Sequence, residues 1–221
     1  MSRPLRTHAW WLFYAVCRYI SMSAVTGLTA VRHFDVPDLR HTDGVLLASN
    51  HQSFLDPVLV GVALDRPVHY LARSSLFRPP GFGQLIRALG AHPLRRGKID
   101  GSALRTCMQI LRGGEPLLLF PEGTRSRDGS LGRMRPGAAS LAARCEVPII
   151  PVCIEGAFQA WPRTRALPRP APVAVAYGRP LLACGRDGRE LTEEIARRIT
   201  QMQSRLRRFL GRTDPSGASR S

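Results

Sequence analysis

The sequence predicts an α/β fold with a mixed, mainly parallel sheet that is flanked by helices. After residue 43, short apolar runs of strand length alternate with amphipathic segments of helix length. The apolar runs are nearly continuous, which indicates strands that are buried on both faces, as in parallel sheets. Polar motifs follow directly after several of these runs, where open α/β sheets place their ligands.

The length of 221 residues allows one sizeable domain with an appendage. Hydrophobic residues make up 44% of the chain, which is enough for a packed core. The five cysteines are widely spaced and include no CxxC pair. We therefore expect reduced, mostly buried thiols, and neither a disulfide framework nor a metal site.

The chain is strongly basic, since 32 Lys and Arg residues against 16 Asp and Glu residues give a formal net charge of +16. Part of the arginine excess is compatible with the codon bias of a GC-rich genome. The rest indicates an anionic partner: nucleic acid, an anionic membrane or a phosphate-bearing substrate. Charge alone does not choose among these three.

The N-terminal segment, residues 1–40, contains the most apolar stretch of the chain, from Ala9 to Val31. A bilayer-spanning helix needs about 20 mainly apolar residues, and Arg18 interrupts this stretch. Four amphipathic aromatic residues that favour the headgroup layer lie within it: Trp10, Trp11, Tyr14 and Tyr19. We predict an interfacial or re-entrant membrane anchor, ahead of a membrane span or a helix packed on the soluble core. No A-x-A-like site closes the stretch, which disfavours a cleaved signal peptide.

The central segment, residues 41–212, is predicted to form the globular domain. Apolar runs predict strands at residues 44–49, 68–72, 116–121, 147–154 and 173–178. Helical patterns cover residues 57–64, 82–89, 100–111, 136–145 and 191–210. The last residues, 213–221, are predicted to form a disordered tail.

The last predicted helix is amphipathic and basic. Its apolar residues recur at spacings of three or four: Leu191, Ile195, Ile199, Met202, Leu206 and Leu210. Thr192, followed by two glutamates, predicts its start. We expect the apolar side to pack on the core and the basic side to be solvated; the alternative is contact of the basic side with anionic lipid headgroups.

The stretch NHQSFLDP, residues 50–57, is unusually polar for a segment that follows a buried strand. Pro57 fits the first turn of a helix, which makes Asp56 a natural N-cap. This explains Asp56 but not His51. If the chain turns between them, the carboxylate can bond one imidazole nitrogen, and the other nitrogen can take a proton from a hydroxyl. Since no G-x-S-x-G nucleophile motif is present, the pair is predicted to act as a general base on the substrate's own hydroxyl.

A second polar motif, FPEGTRS, residues 120–126, ends another predicted strand. Gly123 permits a tight turn whose backbone N–H groups can face an anion. Arg125 suits bidentate phosphate recognition. The alternative is an ion pair between Glu122 and Arg125 on a surface turn, worth under about 1 kcal/mol.

Two further motifs are less specific. The stretch GAHPLRRGK, residues 90–98, is predicted to be a polar loop in which Arg95, Arg96 and Lys98 repel one another unless they are solvated or bind an anion. The stretch VPIIPV, residues 147–152, is a strand bracketed by prolines that is expected to pack in the core and shape an apolar wall.

In this order, NHQSFLD, GAHPLRR, FPEGTRS and VPIIPV resemble the four sequence blocks of the 1-acyl-sn-glycerol-3-phosphate acyltransferase family. This family belongs to the glycerolipid acyltransferases, which share a His, four intervening residues and an Asp. The resemblance covers about residues 44–178. The second block departs from the family pattern, because His92 and Pro93 stand in its apolar positions, while Arg96 aligns with its arginine.

The resemblance implies transfer of a fatty acyl chain from acyl-CoA or acyl-carrier protein to the free sn-2 hydroxyl of 1-acyl-sn-glycerol 3-phosphate, giving phosphatidic acid in phospholipid biosynthesis. His51 would deprotonate the hydroxyl and Asp56 would orient His51. The glycerol phosphate would be held by five residues: Arg96, Glu122, Gly123, Thr124 and Arg125. No cofactor is implied beyond the thioester cosubstrate. We expect a bacterial enzyme bound to an anionic membrane, at the cytoplasmic face of the inner membrane.

Three alternatives stay open on the sequence alone. Another lysolipid, such as a lyso-aminolipid, would also offer a hydroxyl and an anionic head. A nucleic-acid-binding protein is suggested by the net charge and the Arg-rich last helix, although no nucleic-acid-binding module is recognisable. A membrane-surface protein without catalysis is disfavoured by the intact His51 and Asp56 pair and by FPEGTRS.

Overall fold

A computed structural model describes residues 8–94 and 101–212, and its strands form one sheet. The strands are β1 Val31–Phe34, β2 Leu46–Ser49, β3 His69–Arg73, β4 Ala91–Leu94, β5 Leu117–Leu119, β6 Ile149–Glu155 and β7 Val173–Tyr177. Their order is β1-β7-β6-β2-β5-β3-β4. Only β6 and β7 pair antiparallel; the other neighbours are parallel. The predicted mixed, mainly parallel sheet is confirmed.

Helices cover both faces of this sheet. They are α1 His8–Leu28, α2 Asp56–Gly61, α3 Phe82–Ala88, α4 Gly101–Arg112, α5 Gly137–Cys145, α6 Ala157–Ala160 and α7 Gly188–Phe209. Alternate residues of one strand enter opposite layers of the core: Leu46 packs in the layer of α4, α5 and α7, and Leu47 packs in the layer of α1, α2 and α6. Strands β2, β5, β6 and β7 are buried along their whole length, as their continuous apolar runs predict, whereas β3 is only partly buried.

Two strands were not predicted, and both lie at an edge of the sheet. β4 occupies the start of the segment predicted to be a polar loop, so that prediction is wrong for residues 91–94. β1 lies within the predicted N-terminal segment 1–40 but pairs with β7, with Val31 opposite Val173. Both strands are only partly buried. An edge strand with few buried side chains lacks the continuous apolar run on which the predictions relied.

The C-terminal helix starts earlier than its sequence suggested. The predicted start at Thr192 is wrong, because α7 begins at Gly188 and the Asp187 carboxylate accepts from the N–H groups of Arg189 and Glu190, at 2.8 and 3.1 Å. Thr192 lies inside the helix and donates its hydroxyl to the Gly188 carbonyl. The apolar side packs on the core as expected, with Leu191, Ile195, Ile199 and Leu206 buried. The predicted disordered tail, residues 213–221, lies outside the described residues.

The basic side of α7 is partly neutralised by carboxylates. Arg197 and Arg198 pair with Glu194 in the same helix, and Arg205 pairs with Asp35 after β1 at 2.8 Å. Each of these pairs has at least one partner that is a third or more exposed or nearly so, and such pairs contribute little to stability individually. They do reduce the positive charge that this helix presents to solvent.

Helix α1 is packed on one side and exposed on the other. Tyr14, Cys17 and Val25 are buried, and Arg18 donates an N–H to the Val62 carbonyl at the end of α2, at 2.8 Å. The exposed side is apolar: Leu12, Phe13, Val16, Tyr19, Ile20 and Met22. Within residues 8–94 and 101–212, no helix combines the length and apolarity that crossing a bilayer requires. An exposed apolar side on a packed helix is the arrangement that an interfacial helix presents to lipid.

The five cysteines are free thiols, as the sequence predicts. Burial raises the pKa of Cys107 to about 11 and also raises the pKa of the fully buried Cys153. These thiols stay protonated and pack as small apolar side chains. Cys145 is partly exposed and Cys184 is exposed.

A buried carboxylate joins α7 to the sheet. The side chain of Glu155, at the end of β6, is 4% exposed. It accepts hydrogen bonds from Gln203 Nε2 at 2.9 Å and Gln52 Nε2 at 3.4 Å. It also pairs with Arg207 and Arg212, at 3.4 and 3.3 Å. Glu155 thus connects the C-terminal helix with the polar loop that follows β2.

Replacing Glu155 is expected to destabilise the protein strongly. Glu155→Ala removes the carboxylate that pairs with the largely buried Arg207 guanidinium and that accepts from two buried amides, which should lower the free energy of unfolding by about 3–5 kcal/mol. The measurement is urea denaturation of the purified protein. Glu193→Ala, on an exposed position of the same helix, is the control and should change stability by less than about 0.5 kcal/mol. Equal effects of the two variants would contradict the role of Glu155.

Candidate active site

The polar motifs meet at one edge of the sheet. Strands β2, β5, β3 and β6 run parallel, so their carboxyl ends lie at the same edge. NHQSFLD follows β2 and FPEGTRS follows its neighbour β5. The Ser126 N–H donates to the His51 carbonyl at 2.7 Å, which joins the two motifs directly.

His51 and Asp56 form a hydrogen-bonded pair. The distance from His51 Nδ1 to Asp56 Oδ2 is 2.7 Å, with the Asp56 side chain fully buried and that of His51 21% exposed. The imidazole also stacks on the ring of Phe120, with centroids 4.0 Å apart and planes 16° apart. In the described part of the chain, His51 Nε2 has no hydrogen-bond partner. A carboxylate that accepts from Nδ1–H leaves Nε2 as the free acceptor.

Asp56 is not the helix N-cap that Pro57 suggested. The N-cap position of α2 is Leu55, and Asp56 is the first residue of the helix. Its Oδ2 atom accepts instead from the backbone N–H groups of Gln52 and Ser53, at 2.6 and 2.8 Å. These bonds close the turn that the sequence requires if His51 is to meet Asp56. The carboxylate therefore shapes the loop as well as binding the imidazole.

The other polar side chains of NHQSFLD hold the loop in place. Asn50 bridges to β6 with its Nδ2 donating to the Ile154 carbonyl at 2.8 Å and its Oδ1 accepting from the Ile154 N–H at 2.7 Å. Gln52 donates to the Gly129 carbonyl at 2.8 Å. Ser53 donates its hydroxyl to the Trp161 carbonyl at 2.9 Å. Sequence reasoning did not assign these roles, although the density of polar residues after a buried strand was a signal for them.

Glu122 contacts the backbone and not Arg125. Its Oε1 accepts from the His51 N–H at 2.8 Å and its Oε2 accepts from the Gly132 N–H at 2.8 Å. The alternative of a surface ion pair with Arg125 is wrong, because Glu122 is buried and both its oxygens are engaged by backbone donors. Burial raises the pKa of Glu122, and the two N–H donors oppose this shift. The Glu122 carboxyl group therefore holds the backbone of His51 in place.

Arg125 lies on the ring of Phe54, with its Cζ atom 3.4 Å from the ring centroid. Its Nη1 atom is buried and has no hydrogen-bond partner among the described residues. Burial lowers the pKa of Arg125; the Asp56 carboxylate opposes this shift, and the positive charges of Arg163 and Arg73 add to it. Arg125 is thus a partly buried cation near the His51 and Asp56 pair.

The remaining residues predicted to hold a phosphate are placed as follows. Gly123 has a φ of 70°, the left-handed conformation that a tight turn after β5 requires. Thr124 is exposed beside it. Arg96 lies outside the described residues. The Gly123 N–H donates to the Phe120 carbonyl at 2.9 Å and is therefore already engaged. The buried Nη1 of Arg125 is a donor without a partner among the described residues.

This arrangement suits removal of a proton from a hydroxyl close to an anion. Nε2 of an imidazole held by a buried carboxylate is a general base. A guanidinium with unused donors recognises a phosphate or carboxylate. The two groups belong to adjacent loops that are hydrogen-bonded to each other.

Known proteins share this sequence pattern. A family model described as Acyltransferase matches residues 24–155. A chloroplastic 1-acyl-sn-glycerol-3-phosphate acyltransferase of Brassica napus is 35% identical over 118 residues, which are 52% of this chain and 33% of that protein. The 1-acyl-sn-glycerol-3-phosphate acyltransferase of Bacillus subtilis (strain 168) is 30% identical over 128 residues, which are 57% of this chain and 63% of that protein. The matched segment covers less than two thirds of each relative.

A solved structure shares the fold. The crystal structure of the 1-acyl-sn-glycerophosphate acyltransferase PlsC from Thermotoga maritima has a TM-score of 0.80 to this chain at 24% sequence identity. The likeness covers 92% of this chain and 84% of that chain. It confirms the predicted mixed α/β sheet with flanking helices.

The buried Glu122 predicts a pH dependence of stability. Because its pKa is raised in the folded state, its contribution to stability is present below the unfolded-state pKa of about 4.3 and is lost as pH rises through the folded-state value. Glu122→Gln removes this titration. The free energy of unfolding of the wild type relative to Glu122→Gln, measured by urea denaturation, should therefore fall as pH rises above about 4. Glu193→Gln, at an exposed position, should show no such trend, and a pH-independent difference for Glu122→Gln would contradict the expectation.

Proposed function

The chain belongs to the acyltransferase family, and on that premise we propose that it acylates the sn-2 hydroxyl of 1-acyl-sn-glycerol 3-phosphate, giving phosphatidic acid. The observation that carries the proposal is the 2.7 Å contact between His51 and Asp56 beside the unpaired guanidinium of Arg125. The relatives that the chain matches are named for this activity. Family membership also disfavours the nucleic-acid-binding alternative.

The reaction transfers one acyl group from the sulfur of a thioester to the oxygen of the sn-2 hydroxyl. His51 Nε2 takes the proton of the sn-2 hydroxyl, and the resulting alkoxide attacks the thioester carbonyl carbon to form a C–O bond. Collapse of the tetrahedral intermediate breaks the C–S bond, and the thiolate of CoA or of acyl-carrier protein takes the proton from the imidazolium. Asp56 orients the imidazole and stabilises its positive charge during the step.

The acceptor phosphate is assigned to the turn after β5. Arg125 is proposed as the main direct contact, since its unused guanidinium donor favours an anion. Gly123 and Thr124 are proposed as contacts through the exposed surface of the turn, because the Gly123 N–H itself donates to the Phe120 carbonyl. Glu122 is assigned a supporting role, because both its oxygens already accept from backbone N–H groups and a carboxylate would repel phosphate. The contact of Arg96 with the phosphate stays a prediction.

A small, mostly apolar cleft is proposed as part of the acyl-chain site. The cleft lies between α1, α2 and β3, and Pro57, the residue after Asp56 in sequence, is one of its lining residues. Its lining includes Tyr14, Val58, Val62, Val68, Tyr70 and Leu89. An acyl chain that enters this cleft would be removed from water, which favours binding by about 0.8 kcal/mol per buried CH₂ group.

We also propose that the protein associates with a membrane surface. The acceptor is a lipid, and the exposed side of α1 offers apolar and aromatic side chains to a bilayer surface. The net charge of +16 favours an anionic leaflet. Both fit an enzyme at the cytoplasmic face of a bacterial inner membrane, with an acyl-CoA or acyl-carrier-protein donor.

Replacing His51 tests the mechanism. His51→Ala should lower kcat by about 10²- to 10⁴-fold, because the hydroxyl loses its base. The measurement is transfer of a labelled acyl chain to lysophosphatidate by the purified protein, with thermal denaturation as the check on folding. His41→Ala, at an exposed position outside the site, is the matched control and should keep the wild-type rate. Wild-type turnover by folded His51→Ala would overturn the general-base assignment.

A panel of acceptors tests the substrate. With either donor, kcat/KM for lysophosphatidate should exceed the value for a lyso-aminolipid, because only lysophosphatidate carries the phosphate monoester that suits Arg125. The measurement compares initial rates in mixed micelles of fixed composition. Activity on the lyso-aminolipid together with inactivity on lysophosphatidate would replace the proposed acceptor while leaving acyl transfer intact.

A further inference from the structure

Arg125 is held by an aromatic ring and not by a carboxylate. Its guanidinium carbon lies 3.4 Å from the centroid of the Phe54 ring. Among residues 8–94 and 101–212 it has no ion pair, and its buried Nη1 atom has no hydrogen-bond partner. Stacking uses the face of a guanidinium and leaves the N–H groups at its edge available. Arg125 therefore keeps its donors for another group.

The ring of Phe54 is itself supported by a second aromatic residue. This ring packs against Trp161, with centroids 5.2 Å apart and planes at 51°. The preceding residue, Ser53, donates its hydroxyl to the Trp161 carbonyl at 2.9 Å. Trp161 in turn donates Nε1–H to the Arg165 carbonyl at 3.1 Å. The ring of Phe54 is thus a supported platform, although 43% of its surface stays exposed.

The charges around Arg125 favour a multiply charged anion. Arg73, at the end of β3, and Arg163, two residues after Trp161, are close enough to lower the pKa of Arg125 by repulsion. In the described part of the chain neither of them forms an ion pair. The nearby carboxylate of Asp56 engages His51 and two backbone N–H groups through Oδ2, while its buried Oδ1 has no hydrogen-bond partner among the described residues and so forms none with Arg125. Three guanidinium groups without a carboxylate of their own match the dianion of a phosphate monoester better than a neutral or zwitterionic head.

We propose that Phe54 is a positioning residue that holds the guanidinium of Arg125 toward the acceptor phosphate. Phe54 lies between His51 and Asp56 in the same loop, so it fixes the anion site relative to the base. Without the ring, Arg125 would be free to turn toward solvent, and the acceptor would bind less tightly. The inference rests on the proposed function, because it assumes that a phosphate-bearing acceptor is the substrate.

The test is Phe54→Leu, which removes the aromatic face and keeps an apolar side chain of similar reach. The KM for lysophosphatidate should rise about 3- to 30-fold, with kcat within about 2-fold of the wild type. The kcat/KM for monoacylglycerol, which lacks the phosphate, should stay at its wild-type value. Phe54→Trp keeps an aromatic face and should restore the low KM. Phe209→Leu is the matched control, since Phe209 is also about half exposed, at 54%, and in an aromatic pair, with Phe34, remote from the site.

The outcomes separate the inference from the proposed function. An active wild type with the same KM in Phe54→Leu would overturn the inference alone. An equal fall in kcat with both acceptors in Phe54→Leu would also overturn it, because Phe54 would then support His51 and not the anion site. A wild type that is inactive on lysophosphatidate would overturn the proposed acceptor and, with it, the inference.

Discussion

The site depends on one oxygen atom, Oδ2 of Asp56. It accepts from His51 Nδ1 and from the N–H groups of Gln52 and Ser53, all within 2.8 Å. The two backbone bonds turn the chain back on itself, and the third fixes the imidazole. A buried carboxylate without such donors would be strongly unfavourable. The same bonds that make the burial of Asp56 possible therefore make the general base.

Three sets of hydrogen bonds hold the loop around this carboxylate in place. Asn50 joins it to β6, Gln52 joins it to Gly129 and Glu155, and Glu122 supports the backbone of His51. Each set crosses a large distance in sequence; His51 and Glu122, for example, are 71 residues apart. A base that must meet a hydroxyl within a few tenths of an ångström gains from such support, because catalytic groups are only as well placed as the residues behind them.

The sequence predicted those features that depend on residues close together in the chain. Strands β2, β5, β6 and β7 could be predicted because each is a continuous apolar run, and the His51 and Asp56 pair because Pro57 and the polar stretch require a turn. Strand β3 could be predicted although it is only partly buried, because its run is mostly apolar and aromatic. The edge strands β1 and β4 could not, because charged residues, histidines or a proline interrupt the short runs VRHF and AHPL. The supporting role of Glu122 and the stack of Phe54 on Arg125 could not either. Both depend on β5 lying beside β2, and the order of strands is not encoded in the spacing of residues within one motif.

The loop after β2 also fixes the position of the base, His51, relative to the cation, Arg125. Its turn places His51 against Asp56, and three residues further along the chain Phe54 stacks with Arg125 from the loop after β5. The two loops are joined by the bonds of His51 with Glu122 and Ser126. Movement of one loop would therefore displace both the base and the cation. Acyl transfer requires the acceptor hydroxyl to lie at His51 while the acceptor's anion is bound at Arg125. Two loops that are hydrogen-bonded into one rigid unit hold these two groups at a fixed separation better than two independent loops would.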